Sequence, residues 1–265
     1  MTIPTPPLET RELGAGYGGT AVLKQVSLLV APQRMTVLAG PNGSGKSTLL
    51  TALARLLRPQ SGAVLLDGQQ IASLPTRAVA QRLGLLPQNP LTPEGLTVQD
   101  LVARGRYPHQ GFLRQWSKAD EAAVTSAMRI TGTTEFADRP VESLSGGQRQ
   151  RVWIAMALAQ ETGIVLLDEP TTYLDLRYQV EVMELLASLV HHHGRTIVTV
   201  LHDLNFALQF ADRIAFLKDG QLARMIEDPT DCDADLVRAI FGTEVVALRH
   251  PRTGLPVFVP AGRIG

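Results

Sequence analysis

The chain has 265 residues, 45% apolar and 19% charged, with 25 Lys plus Arg against 25 Asp plus Glu. At ~150 residues per domain, that length suits one large core or a core with a subdomain, and the zero net charge excludes a basic protein that grips nucleic acid by neutralising phosphates. The single cysteine, Cys232, excludes an internal disulfide and a cysteine-clustered metal site.

No apolar run reaches the ~18 residues of a membrane span. The opening MTIPTPPLETRE has no basic flank followed by an apolar run, so no secretory leader is read there and a soluble cytosolic protein is expected.

Taken in chain order, Met35–Ala39, Leu83–Leu86, Ile164–Leu167 and Thr196–Leu201 are near-continuous apolar runs. Strands buried on both faces of a parallel sheet look like this. Val64–Leu66 and Gln69–Ile71 flank Asp67-Gly68, and Lys218-Asp219-Gly220 falls inside 213–225, so both read as hairpins. Helices are predicted at 46–57, 98–104, 117–131, 147–160 and 177–193, the last closed by Gly194. Between Pro87 and Glu142 no strand is convincing, which predicts a helical subdomain inserted between two strands. The last forty residues read as a hairpin, a helix near 233–241 and a Pro/Gly-rich tail. Alternating short strands and helices define an α/β protein.

Three motifs carry chemistry. Gly40-Pro41-Asn42-Gly43-Ser44-Gly45-Lys46-Ser47 fits G-x-x-x-x-G-K-[ST] and lies between a predicted strand and a predicted helix. Its glycines let backbone N–H groups turn inward on phosphate oxygens at a positive helix end. Lys46 then reaches the β- and γ-phosphates, the Ser47 hydroxyl meets Mg²⁺, and Thr48 follows on the same turn. Ile164–Glu169 is an apolar run ending in two carboxylates. Asp168 is placed to hold Mg²⁺ through water and Glu169 to polarise the attacking water. Leu144-Ser145-Gly146-Gly147-Gln148 opens a helix with a hydroxyl and bare glycine N–H groups, which makes a second anion site or a plain helix cap.

With its two predecessors, LSGGQRQR resembles the ATP-binding subunits of ABC (ATP-binding cassette) transporters, and the resemblance covers essentially the whole chain. It implies a P-loop NTPase core of RecA type, with a mostly parallel sheet, an antiparallel β portion and an inserted helical subdomain. The expected division is 1–88 with 160–225 as ATP-binding core, 89–159 as helical subdomain, and 226–265 as an extension packed on the core. It also implies roles. Tyr17, expected in a glycine-flanked loop, stacks on adenine. Gln88 touches Mg²⁺ and reports on the membrane partner, Asp175 speaks across a nucleotide dimer, and His202 contacts the γ-phosphate. ATP and Mg²⁺ are the implied cofactors. A second copy packed head to tail is the implied partner, so that each ATP lies between one phosphate loop and Ser145–Gln148 of the other chain. Separate polytopic permease subunits complete the assembly at the cytoplasmic face of the bacterial inner membrane, with a periplasmic or surface substrate-binding protein acting indirectly and no nucleic acid. Gln33 departs from the pattern, holding a turn position where such ATPases more often carry glycine.

ARGRYPHQGF at 103–112, LAQETGIVLLDEPTTYLDLRYQVEVMELL at 158–186 and HPRTGLPVFVPAGR at 250–263 resemble the iron–siderophore importer ATPases of ferric enterobactin type, although His250 stands where an acidic residue is more usual. Uptake of ferric siderophore is the expectation. Cobalamin and haem importers share the architecture, and a soluble ABC ATPase is the more distant reading. An exporter is not separated from an importer by the core motifs. The groove beside Gln88 is expected to dock the permease through exposed apolar residues around Leu96–Val102. His191-His192-His193 reads as a helix end suited to the dipole rather than a metal site, because consecutive helix residues splay around the axis. Cys232, in DPTDCDADL, is expected at the surface.

Overall fold

A computed structural model describes residues 7–90, 94–111 and 116–262. Phe112 and Arg263, which end two of the segments above, and residues 1–6 of the opening lie outside it.

The chain opens with two long strands absent from the sequence reading, β1 (Leu8–Tyr17) and β2 (Thr20–Val30), paired antiparallel across Gly18-Gly19. Their register slips three times, and Glu12 and Gln25 sit at positive φ of 46° and 53°. Each bulge shifts the inward-facing set, so the two-residue alternation that announces a half-buried strand never runs long enough to see. Tyr17 is therefore a strand-end residue rather than a loop residue, and 55% exposed. β3 (Met35–Ala39) is buried at all five positions. Gln33, ahead of it, has φ of 54°, which explains why glycine suits that turn.

Helix α1 (Lys46–Leu53) stops four residues short of its predicted end, because Arg55 takes φ of 63° and Pro59 follows. β4 (Ser61–Leu66) turns back into β5 (Gln69–Gln70) through Asp67 and Gly68, both at positive φ, as a two-residue hairpin requires. A short helix, α2 (Thr76–Ala80), precedes β6 (Leu83–Leu86).

Three helices follow with the same start. α3 (Val98–Ala103), α4 (Lys118–Ile130) and α5 (Gly146–Ala159) each carry a reciprocal capping box, from Thr97–Asp100, Ser117–Asp120 and Ser145–Gln148. The hydroxyl accepts from the third backbone N–H while that residue's side chain accepts from the cap, satisfying two orphan donors at once. β7 (Ile164–Asp168), α6 (Leu176–His191), β8 (Thr196–Val200), α7 (Leu204–Phe210), β9 (Arg213–Lys218), β10 (Gln221–Ile226), α8 (Ala234–Phe241), β11 (Val245–Arg249) and β12 (Pro256–Pro260) complete the chain. Gly194, at φ of 62°, donates its N–H to Val190 O just beyond α6, as anticipated for the closing glycine.

Two compact units result. One comprises the chain up to Ser73 and from Thr196 onward, the other Leu74–Arg195. In the first, β9, β3 and β8 run parallel with β10 antiparallel at the edge, and β2-β1-β4-β5 form a separate antiparallel sheet. Its C-terminal hairpin β11–β12 is tied down where the Asn205 side chain exchanges hydrogen bonds with the Phe258 backbone. In the second, β6 and β7 pair in parallel beside the helices.

Two expectations fail here. Val98, Leu101 and Val102 are at most 1% exposed and Leu96 is half-buried, so α3 does not present the exposed apolar residues expected there; α3 packs on α5. Cys232 is 4% exposed. Burial, with the Asp233 charge beside it, pushes its thiol pKa up to about 12, so its acidic neighbours in sequence did not mark a surface site.

Candidate nucleotide site

The first unit carries the phosphate loop at the carboxyl end of β3, running into the positive end of α1. Gly40 has φ of 141°, and a Cβ there would fall 2.1 Å from Leu217 O, so only glycine fits where the chain leaves β3 beside its neighbour β9. At Gly43 the φ is 76° and a Cβ would meet nothing within 4 Å, leaving the outer rim open. Lys46 is 5% exposed, and its Nζ donates to Gly40 O and Pro41 O, both at 2.9 Å. The loop's own carbonyls thus hold the ammonium beneath it.

Whether a triphosphate fits can be read from the polar atoms. Ser44 Oγ is buried with no partner among the described residues, while Asn42 and Gly43 are exposed. An orphan donor, a cation and an open glycine rim lie within one short loop, the chemistry an anion requires. Gly45 precedes the helix, and Ser47 and Thr48 occupy its first turn, Ser47 half-buried. His202 lies exposed just past β8, ahead of Asp203, which caps α7 through Phe206 N.

The second unit carries the carboxylates. Asp168 ends β7 half-buried, and Glu169 follows at φ of 50°, a left-handed conformation costly for a side-chain-bearing residue. Glu169 Oε2 accepts from the Gln88 amide and, at 2.9 Å, from Thr172 Oγ1. Gln88, two residues beyond β6, is thereby brought onto Glu169, and Thr172 is a partner the sequence reading missed. Its signal was its place three residues after Glu169, where a turn closed by Thr172 N to Glu169 O brings the hydroxyl back. Asp175 caps α6, accepting from Tyr178 N at 3.0 Å.

Ser145 and Gly146 are exposed, Gly147 is buried and Gln148 half-buried. Ser145 Oγ accepts from Gln148 N at 3.3 Å, and Gln148 Oε1 accepts from Ser145 N at 3.1 Å. Where a cap and an anion site were both open readings, the cap is made. His191 closes α6, and His192 Nδ1 lies 3.2 Å from Ser188 Oγ; no cluster of three metal-ligating side chains occurs among the described residues. No described helix is long and apolar enough to cross a membrane.

A glycine loop between a buried parallel strand and a helix, with a cradled lysine, defines a P-loop nucleotide-binding protein. Residues 23–172 match the family described as ABC transporter. The chain belongs to that family, and it has the fold and the ATPase character of its ATP-binding subunits. It is 49% identical over 256 residues to the petrobactin import ATP-binding protein FpuD of Bacillus anthracis, covering 97% of this chain and 94% of that one. It is 46% identical over 263 residues to the ferric enterobactin transport ATP-binding protein FepC of Escherichia coli K12, covering 99% and 97%. Among solved structures, an inward-facing ABC transporter described as of metal-chelate type matches with a TM-score of 0.84 at 28% identity, covering 97% of this chain and 98% of that one.

Proposed function

We propose that the chain hydrolyses ATP to drive import of ferric siderophores through a separate membrane permease. The observation that carries the ATPase reading is the strained Glu169 carboxylate, held by Gln88 and Thr172 at the end of β7. The substrate reading draws on near-full-length similarity to two subunits named for petrobactin import and ferric enterobactin transport.

Each residue then has a task. Tyr17 offers an exposed ring to adenine. Backbone N–H groups of Asn42–Thr48 cradle the phosphates and Lys46 exchanges its two carbonyl partners for phosphate oxygens. Ser47, Gln88 and Asp168, all oxygen-bearing side chains, suit a hard divalent cation. Bound Mg²⁺ would neutralise charge on the β- and γ-phosphate oxygens. Glu169 orients a water and takes its proton as the water oxygen bonds to the γ-phosphorus and the bond to the ADP oxygen breaks. His202 contacts the departing phosphate.

The exposed Ser145 and Gly146 suit a site completed by a second copy, each ATP closed between one phosphate loop and the Ser145–Gln148 loop, the signature loop, of the other chain, with Asp175 at the same interface. Residues 89–159 serve as the helical part that meets the permease, at the cytoplasmic face of the bacterial membrane, and a substrate-binding protein delivers cargo from the other side. Deleting the gene and following uptake of radiolabelled ferric siderophore, cobalamin and haem tests the proposal. Lost iron uptake with the other two intact is expected; intact iron uptake with lost cobalamin or haem uptake overturns it.

A further inference from the structure

Gly146 and Gly147, the glycines of the Ser145–Gln148 signature loop, touch Leu174 and Tyr178, two residues that the proposed mechanism does not use. An ideal Cβ at Gly147 would lie 2.4 Å from both Cδ1 and Cγ of Tyr178 and 2.9 Å from its Cβ, so the ring rests directly on the Gly147 backbone. A Cβ at Gly146 would meet Leu174 Cδ2 at 3.6 Å, an ordinary contact. Both glycines of the loop therefore lie against residues 174–178.

That segment is itself bonded back to Glu169. Thr172 ties to Glu169 through its amide and hydroxyl, Leu174 N donates to Thr171 O, and Gln179 Nε2 reaches Thr171 O. Asp175 accepts from Tyr178 N, and the Arg177 guanidinium lies 5.9 Å from the Tyr178 ring centre. From Glu169 to Tyr178 the chain is a continuous bonded turn, ending in a ring pressed on the signature helix. Tyr178 also lines an open cleft of about 600 Å³, together with Gln148, Arg151 and Glu181. The ring is thus not walled into the core, and removing it leaves the packing of α6 on its buried face in place.

We infer that Tyr178 is a positioning residue. It sets where Ser145–Gln148 stands relative to Glu169 within one subunit, so that the loop offered to a partner's ATP moves with this subunit's own catalytic carboxylate. The inference rests on the ATPase reading above and concerns its geometry. Small displacements of such a loop are costly, since misplacement of about 1 Å can lower a rate on the order of 100-fold.

The test uses the purified full chain and ATP hydrolysis. Tyr178→Ala lowers kcat between about 10- and 100-fold while KM for ATP stays near native, because the subunit's own phosphate loop is untouched. Tyr178→Phe, which keeps the ring, restores kcat. Gly147→Ala forces the ring away and lowers kcat, but adds less in the Tyr178→Ala background, where the two ring contacts at 2.4 Å are gone and only the 2.9 Å approach to the retained Cβ persists. That non-additivity separates steric coupling from general destabilisation. If Tyr178→Ala does not fold, Tyr178→Leu, which keeps an apolar side chain on α6, carries the same test. Native kcat in the truncated variant, or fully multiplicative losses in the double variant, overturns the inference. Absence of hydrolysis by the unmodified chain overturns the ATPase reading, and this inference falls with it.

Discussion

The phosphate loop and the signature loop both end in the first turn of a helix, yet they are built differently. The first is held by backbone: glycine conformations that other residues resist, a close approach to Leu217 O, and a lysine bound to the loop's own carbonyls. The second is held by side chains, through the Ser145–Gln148 box at the start of α5 and the Tyr178 ring against its first turn. At the far end of that helix the pattern recurs. Arg106 Nη1 donates to Ala159 O at 2.7 Å, and its Nε donates to Asp120 at 2.9 Å, with Arg106 3% and Asp120 0% exposed. A loop made by backbone states its chemistry locally, whereas one made by side chains depends on residues far along the chain.

Experiments can break that contrast, beginning with the largest effect. Glu169→Gln keeps the shape and one acceptor for Thr172 but removes the base, so turnover should fall about 10²–10⁴-fold with ATP binding retained. Steady hydrolysis near the native rate would sink the assignment. Lys46→Ala should cost about 10²–10³-fold in turnover and weaken ATP binding as well. Fluorescent-nucleotide titration reads the second part, and undiminished affinity would mean that the backbone alone holds phosphate.

Arg106→Met tests the side-chain-built region through stability. It leaves Asp120 buried without its cation, a loss of about 3–5 kcal/mol visible as a lowered Tm. The Ser117 hydroxyl first, then Arg106, hold the Asp120 carboxyl down at about 2 against opposing burial. Since that is below its unfolded value near 3.8, the stabilisation is complete above about pH 4 and is lost as pH falls toward 2. Melting followed from pH 5 to pH 2 should show this loss, flattened in Asp120→Asn; an unchanged slope in that variant would remove Asp120 from the account. The smallest effect belongs to Cys232. With its thiol raised to about 12, it should resist thiol reagents at pH 8 until the chain is unfolded, and rapid native labelling would contradict its burial.

Legibility in the sequence followed the same line. β3, β6, the two Asp-Gly hairpins and the phosphate loop could be read because their causes are local: continuous apolar runs, turn dipeptides, glycine spacing. β1 and β2 could not, since bulges at Glu12 and Gln25 scramble the alternation that would have betrayed them. The burial of Leu101 was invisible because an apolar residue on a short helix says nothing about which neighbour covers it. Glu169 was found from its motif. Its partner Thr172 and the contact of Tyr178 on Gly147 depend on a turn geometry that residue types alone do not reveal. Gln33 could be noted as unusual, but only its positive φ shows what glycine would have supplied there.

The reciprocal box at Ser145 and Gln148 has one more consequence. Fixing a residue's backbone costs roughly 1–2 kcal/mol of conformational entropy, and a glycine pair would ordinarily make a loop among the most expensive to order. Here the first turn of α5 is wound and its end groups are bonded within the chain itself, through Ser145 and Gln148. A group that hydrogen-bonds to Ser145 therefore meets a turn ordered by its own side chains rather than a bare glycine pair.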